Sequence, residues 1–329
     1  MEKSPILQTE AIYYPILGAI GIPANLLAIV ILSSGKCGLS RCIIKYLVSM
    51  AVADLMVLLV NVMVNELKEA YFPYSFLNYT PICSFVVLLM YISLDCSVWF
   101  TVAFTFDRFV AISCQSLRTK YCTPDIAMRV IAIIFLLSVL ENIPIYFIFE
   151  PRGIINQVPW SCYVKSSFYT SPAWIVFLWL ETALTPFAPY VVIIFLNSMT
   201  IKNIVVSNRV RSKLRGNNKD SCHSDKESDN RRKSIILLIA ISFNFILLWM
   251  VNLACFICVQ FTDTRLWDLD ANDSFIIAET CGYMLRCLST CTNTFIYMIS
   301  QKKFREEMKT MANRLIFFAC NLCKRSVLV

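Results

Sequence analysis

Ionisable side chains inside long apolar stretches are the residues with which this sequence could do chemistry. Asp107 and Arg108 close an almost wholly apolar stretch that begins at Cys83, and Asp54 lies in the middle of another. A charge in a hydrocarbon layer is costly unless it is paired, hydrated or placed at an interface, so such residues are candidates for binding a ligand, an ion or a proton. The alternative for Asp107 and Arg108 is a pair of charges that only marks a membrane edge.

A second set of ionisable residues lies within apolar stretches: Asp95, Glu141, Glu181, Glu279 and Arg286. We expect Arg286 to pair with Asp95 or Glu181 when no ligand is bound. It would then receive a ligand carboxylate, while the acids hold a ligand ammonium group. Aromatic residues would form the apolar walls of this pocket: Tyr91, Trp174, Trp249 and Tyr283. An internal salt bridge without a ligand role is the alternative.

The composition is that of a membrane protein rather than a soluble domain. Of the 329 residues, 57% are hydrophobic and 16% are charged, whereas soluble domains average about 45–50% and about 25%. The net charge of +8 resides mainly in polar connections between apolar stretches, which disfavours nucleic-acid binding. A single histidine leaves too few ligands for a zinc site, so no metal site is expected. Because GxSxG, HExxH and paired-aspartate motifs are absent from the sequence, we predict no enzymatic activity.

Seven apolar segments are each long enough to cross a hydrocarbon layer about 30 Å thick as an α-helix, which rises about 1.5 Å per residue. They lie at residues 11–33, 43–65, 82–113, 126–149, 173–201, 235–260 and 275–299. We therefore predict an all-α membrane protein. A seven-helix bundle would occupy residues 11–299, between an N-terminal segment at 1–10 and a C-terminal segment at 300–329.

The loops between the spans predict the orientation of the bundle. Basic residues follow the first and third spans and fill the connection between the fifth and sixth, whereas the opposite connections are mixed or acidic. The positive-inside rule then predicts a plasma-membrane protein with an extracellular N-terminus and a cytoplasmic C-terminus. Asn78 and Asn272 begin sequons on the predicted outer side and are glycosylation candidates. Residues 216–230 are polar without an apolar period, so we predict a disordered cytoplasmic loop.

The segment after the seventh span predicts a short amphipathic helix at residues 301–313, lying on the membrane surface. One face of that helix would carry Phe304, Met308 and Met311. A frayed tail is the alternative. Cys320 and Cys323 follow beside basic residues and are palmitoylation candidates, with unmodified thiols as the alternative.

Short motifs recur in order on six of the seven spans. They include Asn25, Asp54 in LVSMAVADL, Cys83 with Asp107-Arg108-Phe109, Phe245 with Trp249, and Asn293 and Tyr297 in NTFIY with Phe304 following. Together they resemble the rhodopsin-like (class A) G-protein-coupled receptors over about residues 20–310. Phe109 stands where that family usually has tyrosine, and Val251 and Thr294 stand in proline positions. These departures leave the detailed helix kinks open.

The resemblance implies roles for several of these residues. Asp54, Asn25 and Asn293 would form a water network that can hold a sodium ion, with no other cofactor expected. A second group would form the G-protein coupling switch: Asp107, Arg108, Phe109, Asn293 and Tyr297. Cys83 at the outer end of the third span and Cys162 in the next outer loop would form a disulfide, which the oxidising extracellular side favours. Free cysteines are the alternative.

The resemblance also narrows the ligand. Met90 stands where the amine receptors of the family carry an aspartate, so a monoamine is disfavoured. The seventh span has no lysine for a retinal Schiff base, so retinal is disfavoured too. The chain looks nearest to an orphan branch close to peptide receptors and to receptors for aromatic amino acids. The candidate pocket residues are Met90, Tyr91, Asp95, Glu181, Trp249, Tyr283 and Arg286.

The expected function is therefore a receptor that binds an extracellular small peptide or aromatic amino-acid-like ligand and activates a heterotrimeric G protein. Its further contacts would be with membrane lipid. A decoy receptor that binds without coupling is one alternative. A transporter is another, although the sequence lacks the inverted repeat and the matching broken helices of that class.

Overall fold

The computed structural model describes residues 5–66, 71–72, 74–155, 157–215, 224–262 and 273–326. Eight long helices occupy most of this described part. They are α1 (Pro5–Ser33), α2 (Arg41–Val57, continued by a π-helix Leu58–Glu66), α3 (Thr80–Ser113), α4 (Pro124–Asn142), α5 (Pro172–Thr182, a π-helical turn Ala183–Phe187, then Ala188–Arg215), α6 (Ser224–Thr262), α7 (Ser274–Ser300) and α8 (Lys302–Ser326).

Polar caps and prolines define where these helices begin. The Ser40 hydroxyl accepts a hydrogen bond from the backbone N–H of Ile43 at the start of α2, and Thr123 does the same at the start of α4. The Asp273 carboxylate accepts from the backbone N–H of Phe275 at 2.7 Å and starts α7. Each cap satisfies a backbone donor that the first helical turn leaves without an intrahelical partner.

Six described helices, α1 to α6, are long and apolar enough to cross a membrane. The sequence prediction counted the seventh segment as well, and α7 does run over its full length. It is less hydrophobic than the other six spans because it carries Glu279, Arg286 and several threonines. In a membrane, side chains of that kind belong inside the bundle rather than against lipid.

The core lies where α3 packs against α2, α4 and α5, and where α7 packs against α1, α2 and α6. Its largest fully buried side chains include Tyr46, Leu47, Met50 and Phe104. A Cβ atom at Gly282 would lie 3.0 Å from the backbone nitrogen of Asn252, so α7 and α6 approach closely there. Leu136 and Leu140 of α4 are exposed, as expected for a helix face that contacts lipid tails.

Several boundaries differ from the sequence predictions. The fourth span was predicted to run as helix to 149, but α4 ends at Asn142 and becomes a 3₁₀ turn over Ile143–Ile148. Pro144 explains this end, because proline removes a backbone donor and clashes with the preceding turn. At the N-terminus, α1 begins at Pro5, within the segment predicted to precede the bundle.

The polar connection and the C-terminal segment also contain more helix than predicted. Helix α6 begins at Ser224, inside the loop predicted to be disordered, while residues 216–223 lie outside the described part. Glu227 and Arg231 are spaced four apart in that segment, a pattern that favours helix. Helix α8 extends from Lys302 to Ser326, well beyond the predicted 301–313. Cys320 and Cys323 lie near its end, and their modification stays a prediction.

Two short antiparallel ribbons follow α4 and were not predicted. Strand β1 (Phe149–Glu150) pairs with β4 (Tyr163–Val164), and β2 (Gly153–Ile155) pairs with β3 (Val158–Trp160). The predicted disulfide joins Cys162, between β3 and β4, to Cys83 in the first turn of α3, with their Cα atoms 5.9 Å apart. It therefore ties the ribbons to the N-terminal end of α3.

Two hydrogen bonds strengthen this attachment. The Thr80 hydroxyl donates to the Ser161 carbonyl at 2.7 Å, and the backbone N–H of Ser161 donates to the Asn78 carbonyl at 2.6 Å. Asn78 thus lies in the turn before α3, on the same side of the bundle as the ribbons. Its glycosylation stays a prediction, and Asn272 lies outside the described residues.

Candidate ligand pocket and cytoplasmic switch

Asp54 lies at the centre of a buried hydrogen-bond network that joins α2, α3 and α7. Its carboxylate is 1% exposed and accepts from the Asn293 amide at 2.8 Å. The Ser97 hydroxyl of α3 donates to the other carboxylate oxygen. Ser97 was not predicted from the sequence. Two donors on a fully buried carboxylate replace part of the hydration that it would have in water.

Asn25 supports this network from α1 without contacting Asp54. Its side-chain amide donates to the carbonyl oxygens of Gly21 at 3.1 Å and of Thr290 at 2.9 Å. The Thr294 hydroxyl, in the position where the receptor motif has proline, donates to the Ala24 carbonyl at 3.2 Å. These bonds fasten α7 to α1 beside the Asp54 network.

A small polar cavity adjoins the network. It extends from the two partners of Asp54 to Arg286 and is lined by Ser97, Thr101, Asn244, Ser289, Asn293 and Arg286, among others. The Asp54 carboxylate and the hydroxyls of Ser97 and Ser289 are oxygen ligands of the kind that hard cations take in proteins. The cavity lining includes the Arg286 guanidinium and not Asp54, so the sodium ion stays a prediction.

Asp107 and Arg108 form a buried ion pair near the C-terminal end of α3. The Arg108 Nε donates to the Asp107 Oδ2 at 3.0 Å, and a guanidinium nitrogen contacts the same oxygen. The Arg108 Nη1 also donates to the Ser234 hydroxyl of α6 at 3.2 Å. Arg108 thus links α3 to α6 through a neutral partner. Phe109 is half-buried, with its ring 6.4 Å from that of Phe106.

The other carboxylate oxygen of Asp107 has a partner that the sequence did not suggest. The Cys42 thiol of α2 donates to Oδ1, with sulfur and oxygen 3.1 Å apart. The Cys122 thiol, in the loop before α4, donates to the Asp107 backbone carbonyl at 3.6 Å. Burial, and after it the charge of Asp107, raises the pKa of the Cys122 thiol to about 11.

Tyr297 and Asn293 were predicted to act with this ion pair, but the structure places neither in contact with it. Asn293 belongs to the Asp54 network, whereas Tyr297 is buried against Phe304 of α8, with 6.0 Å between ring centroids. The Tyr297 hydroxyl is buried and has no hydrogen-bond partner. The Arg305 guanidinium donates to the Met298 and Ile299 carbonyls at 2.8 Å each, which fixes the corner between α7 and α8.

Arg286 of α7 lies against two aromatic rings. Its guanidinium carbon lies 4.6 Å from the centroid of the Tyr283 ring and 5.8 Å from that of Trp249. Such cation–π contacts stabilise a charge without neutralising it. The described residues show no salt bridge from Arg286 to Asp95 or Glu181, although the Arg286 charge acts on both carboxylates, so the predicted pairing is present only as a longer-range interaction.

Asp95 instead has a partner on α4. Its Oδ2 accepts from the Asn142 amide at 2.5 Å. The buried oxygens Asp95 Oδ1, Asn142 Oδ1 and Glu141 Oε1 have no hydrogen-bond partner. Glu181 of α5 interacts electrostatically with Asp95, Arg286 and Glu141. The pocket region therefore has an acid-rich side at α3, α4 and α5, and a cationic side at α7.

Tyr283 and Met90 lie close together on the cationic side. The Tyr283 hydroxyl donates to the Asn61 Oδ1 at 2.5 Å, and it lies 4.0 Å from the Met90 sulfur. The Tyr283 hydroxyl oxygen also lies 3.5 Å from Oε1 of Glu66. Asn61 and Glu66 were missed because polar residues near a span end carry no specific sequence signal. Trp249 stacks on Phe245 with 5.1 Å between ring centroids, next to Arg286.

Tyr91 and Trp174 lie on the other side of the region. Both pack in an apolar cluster with Ile145, Ile148 and Phe168, and the Trp174 ring is 5.6 Å from that of Phe168. The predicted pocket residues thus fall into two groups. Met90, Trp249, Tyr283 and Arg286 come together, while Tyr91, Asp95 and Glu181 lie toward α4 and α5.

Comparison with known proteins gives matches over most of the chain. The family model for the 7 transmembrane receptors (rhodopsin family) matches residues 24–297. The thyrotropin-releasing hormone receptor of Homo sapiens is 26% identical over 291 residues, which cover 82% of this chain and 69% of the relative. The vasopressin V1b receptor of Mus musculus is 27% identical over 270 residues, which cover 77% of this chain and 63% of the relative. G-protein coupled estrogen receptor 1 of Danio rerio is 20% identical over 294 residues, which cover 84% of this chain and 73% of the relative.

Proposed function

Because this chain belongs to the rhodopsin family of seven-transmembrane receptors, we propose that it binds an extracellular small peptide or aromatic amino-acid-like ligand and activates a heterotrimeric G protein. Members of this family are multi-pass membrane receptors and not enzymes, so those two predictions are confirmed. The relatives named for thyrotropin-releasing hormone and vasopressin support a peptide-like ligand.

The observation that carries the ligand proposal is the environment of Arg286. Its guanidinium lies over two aromatic rings, and its buried Nε has no hydrogen-bond partner. A ligand carboxylate would supply the missing acceptor, and a charge-assisted bond of this kind is among the stronger polar interactions. On the opposite side, Asp95 Oδ1 and Glu141 Oε1 lack hydrogen-bond donors, which a ligand ammonium group would provide.

Signalling would follow from a shift between two arrangements of the bundle. In the arrangement described here, Arg108 is bound to Asp107 and to Ser234, which holds α6 against α3. A ligand that binds more tightly to the arrangement in which α6 has moved outward would free Arg108. The opened cytoplasmic cleft would admit a G-protein α subunit. A differential affinity of a few kcal/mol is enough to change the populations severalfold or more.

The membrane would contribute at both faces of the receptor. The N-terminus and the ribbons would face the extracellular side of the plasma membrane, and the basic segments 209–215 and 231–233 would face anionic lipid of the cytoplasmic leaflet. A sodium ion held by Asp54, Ser97 and Ser289 would supply positive charge to the Asp54 carboxylate.

Nucleotide exchange on a panel of Gα classes, in membranes that contain the receptor, tests the proposal. Aromatic amino acids and short peptides are the probes. We expect ligand-stimulated exchange that is lost in Arg108→Ala, and an affinity about tenfold to a hundredfold lower in Arg286→Gln because one charged hydrogen bond is removed. Arg152→Gln is the matched control, since Arg152 is exposed on the ribbons.

Two results would contradict parts of this function. Equal affinities for wild type and Arg286→Gln would remove Arg286 from the ligand site. Specific binding of a probe without exchange on any Gα class, by receptor present at the cell surface, would indicate a decoy receptor instead.

A further inference from the structure

The Asp107 carboxylate has two oxygens in two different environments. Oδ2 faces the Arg108 guanidinium, whereas Oδ1 faces the Cys42 sulfur at 3.1 Å. Asp107 is 0% exposed and Cys42 is 2% exposed, so neither is in contact with bulk water. A buried carboxylate oxygen needs a donor, because desolvation without a hydrogen bond is costly. In the described part of the chain, the Cys42 thiol is the side-chain donor to Oδ1.

The tyrosine beside this pair does not replace the thiol. Tyr46 lies one helical turn after Cys42 and is fully buried, but its hydroxyl has no hydrogen-bond partner. The Cys122 thiol donates to the backbone carbonyl of Asp107 at 3.6 Å, whereas the Cys42 sulfur lies 3.1 Å from the carboxylate Oδ1. Since burial and the nearby Asp107 charge raise the pKa of Cys122 to about 11, that thiol keeps its proton at neutral pH and acts as a donor.

We propose that Cys42 is a positioning residue of the coupling switch: its thiol donates to Asp107 and thereby sets how firmly Asp107 retains Arg108 in the closed bundle. This inference rests on the proposed function, because it concerns the restraint on G-protein coupling. A thiol is a weak hydrogen-bond donor. The restraint is therefore adjustable in both directions: removing the donor weakens it, and a hydroxyl, which is a stronger donor, strengthens it.

Ligand-independent nucleotide exchange in Cys42 variants tests the role in coupling. Cys42→Ala leaves Oδ1 without its donor, and we expect basal exchange to rise about threefold to tenfold, the change produced by losing one hydrogen bond. Cys42→Ser keeps a donor, so basal exchange should be equal to or below that of wild type. The matched control is Cys37→Ala, because Cys37 is also a buried cytoplasmic-side thiol, but it donates to the Ile31 carbonyl.

The infrared S–H stretching band of the purified receptor tests the contact without using coupling. A thiol bonded to a carboxylate absorbs at lower frequency than a free one. We expect a low-frequency component that disappears in Cys42→Ser and shifts upward in Asp107→Asn, where the acceptor has lost its charge. Cys37→Ala should leave this component unchanged.

The possible failures are distinguishable. A receptor whose S–H spectrum is identical in wild type and Cys42→Ser lacks the contact, and the inference is then wrong. Exchange that is equal in wild type, Cys42→Ala and Cys42→Ser, in a receptor that responds to ligand, also overturns it. Exchange that is absent from every variant under every condition, despite a low-frequency band, overturns the proposed function and with it the coupling role of Cys42.

Discussion

The Asn293 amide donates a 2.8 Å hydrogen bond to the Asp54 carboxylate and so joins α7 to α2 through the centre of the bundle. Ser97 of α3 donates to the other oxygen, which makes Asp54 the acceptor for both neighbouring helices. Aspartate and asparagine have nearly the same shape, but an aspartate carboxylate only accepts hydrogen bonds whereas an asparagine amide also donates them. The Asp54–Asn293 bond can therefore be tested by exchanging the two residues.

Asp54→Asn should lower both thermal stability and ligand-stimulated exchange. The substituted amide can place a second donor against the Asn293 amide, and the unmade bond costs about 1–3 kcal/mol of stability. Adding Asn293→Asp restores one acceptor and one donor at the same place, so the double variant should recover most of the loss. The measurements are the thermal unfolding midpoint in detergent and ligand-stimulated nucleotide exchange.

Asn293→Asp alone serves as the control for this exchange. It places two carboxylates side by side in a buried site, where like charges repel, so it should be at least as damaging as Asp54→Asn. If the double variant is no better than the worse single one, then the two residues do not act through a direct bond.

The elements of the fold were largely predictable because their signals are local. Length and hydropathy indicate each span, and the resemblance to the receptor family implies the Cys83 disulfide at the N-terminal end of the third span. The end of α4 was missed although Pro144 marks it, because the apolar run continues beyond the proline. The ribbons carry no comparable signal in a loop of mixed composition.

The partners within the sites could not be predicted, because they are brought together by packing. Ser97 and Asp54 are 43 positions apart, Asn142 and Asp95 are 47 apart, and Cys42 and Asp107 are 65 apart. The prediction that Arg286 pairs with an acid followed from charge alone, and the structure places its guanidinium over the Tyr283 and Trp249 rings instead of at salt-bridge distance from an acid. Tyr283 lies three residues before Arg286 on the same helix, a spacing that brings side chains together, so their contact could have been predicted from the sequence.

Removing the disulfide should destabilise the receptor and impair ligand binding. Cys162→Ser frees the ribbons from α3 and should lower stability by about 2–4 kcal/mol, the usual range for a native disulfide. Cell-surface abundance and the thermal half-life of ligand binding are the measurements. Cys281→Ser is the control, because Cys281 is an exposed free cysteine. Unchanged half-lives in Cys162→Ser would show that the two remaining hydrogen bonds to Ser161 suffice.

The Cys122 thiol should react slowly with maleimides at neutral pH. Its pKa is raised from an ordinary value of 9.0 to about 11, chiefly by burial. Only the thiolate is nucleophilic, so at pH 7.5 about a hundredfold less of it is present than for an ordinary cysteine. The rate in the folded receptor should continue to rise between pH 9 and pH 10.5, where an ordinary thiol levels off.

Mass spectrometry of the tryptic peptide at residues 121–129 measures this reaction at Cys122 separately from other cysteines. The unfolded receptor is the internal control, since unfolding removes the burial that raises the pKa. A folded-state rate that levels off at the same pH as in the unfolded state would contradict the raised pKa.

Ser234 should determine how strongly α6 resists opening. Arg108 reaches α6 through a 3.2 Å hydrogen bond to the Ser234 hydroxyl, a neutral acceptor. Ser234→Glu supplies a charged acceptor at the same place, and because hydrogen bonds to charged groups are stronger, ligand-independent exchange should fall by about threefold or more. Ser234→Ala removes the acceptor and should raise it. Ser198→Ala is the control, because the Ser198 hydroxyl donates to Ile194 within its own helix. Equal basal exchange in Ser234→Glu and Ser234→Ala would mean that the Asp107 ion pair alone restrains Arg108, and that α6 is held closed by packing rather than by this bond.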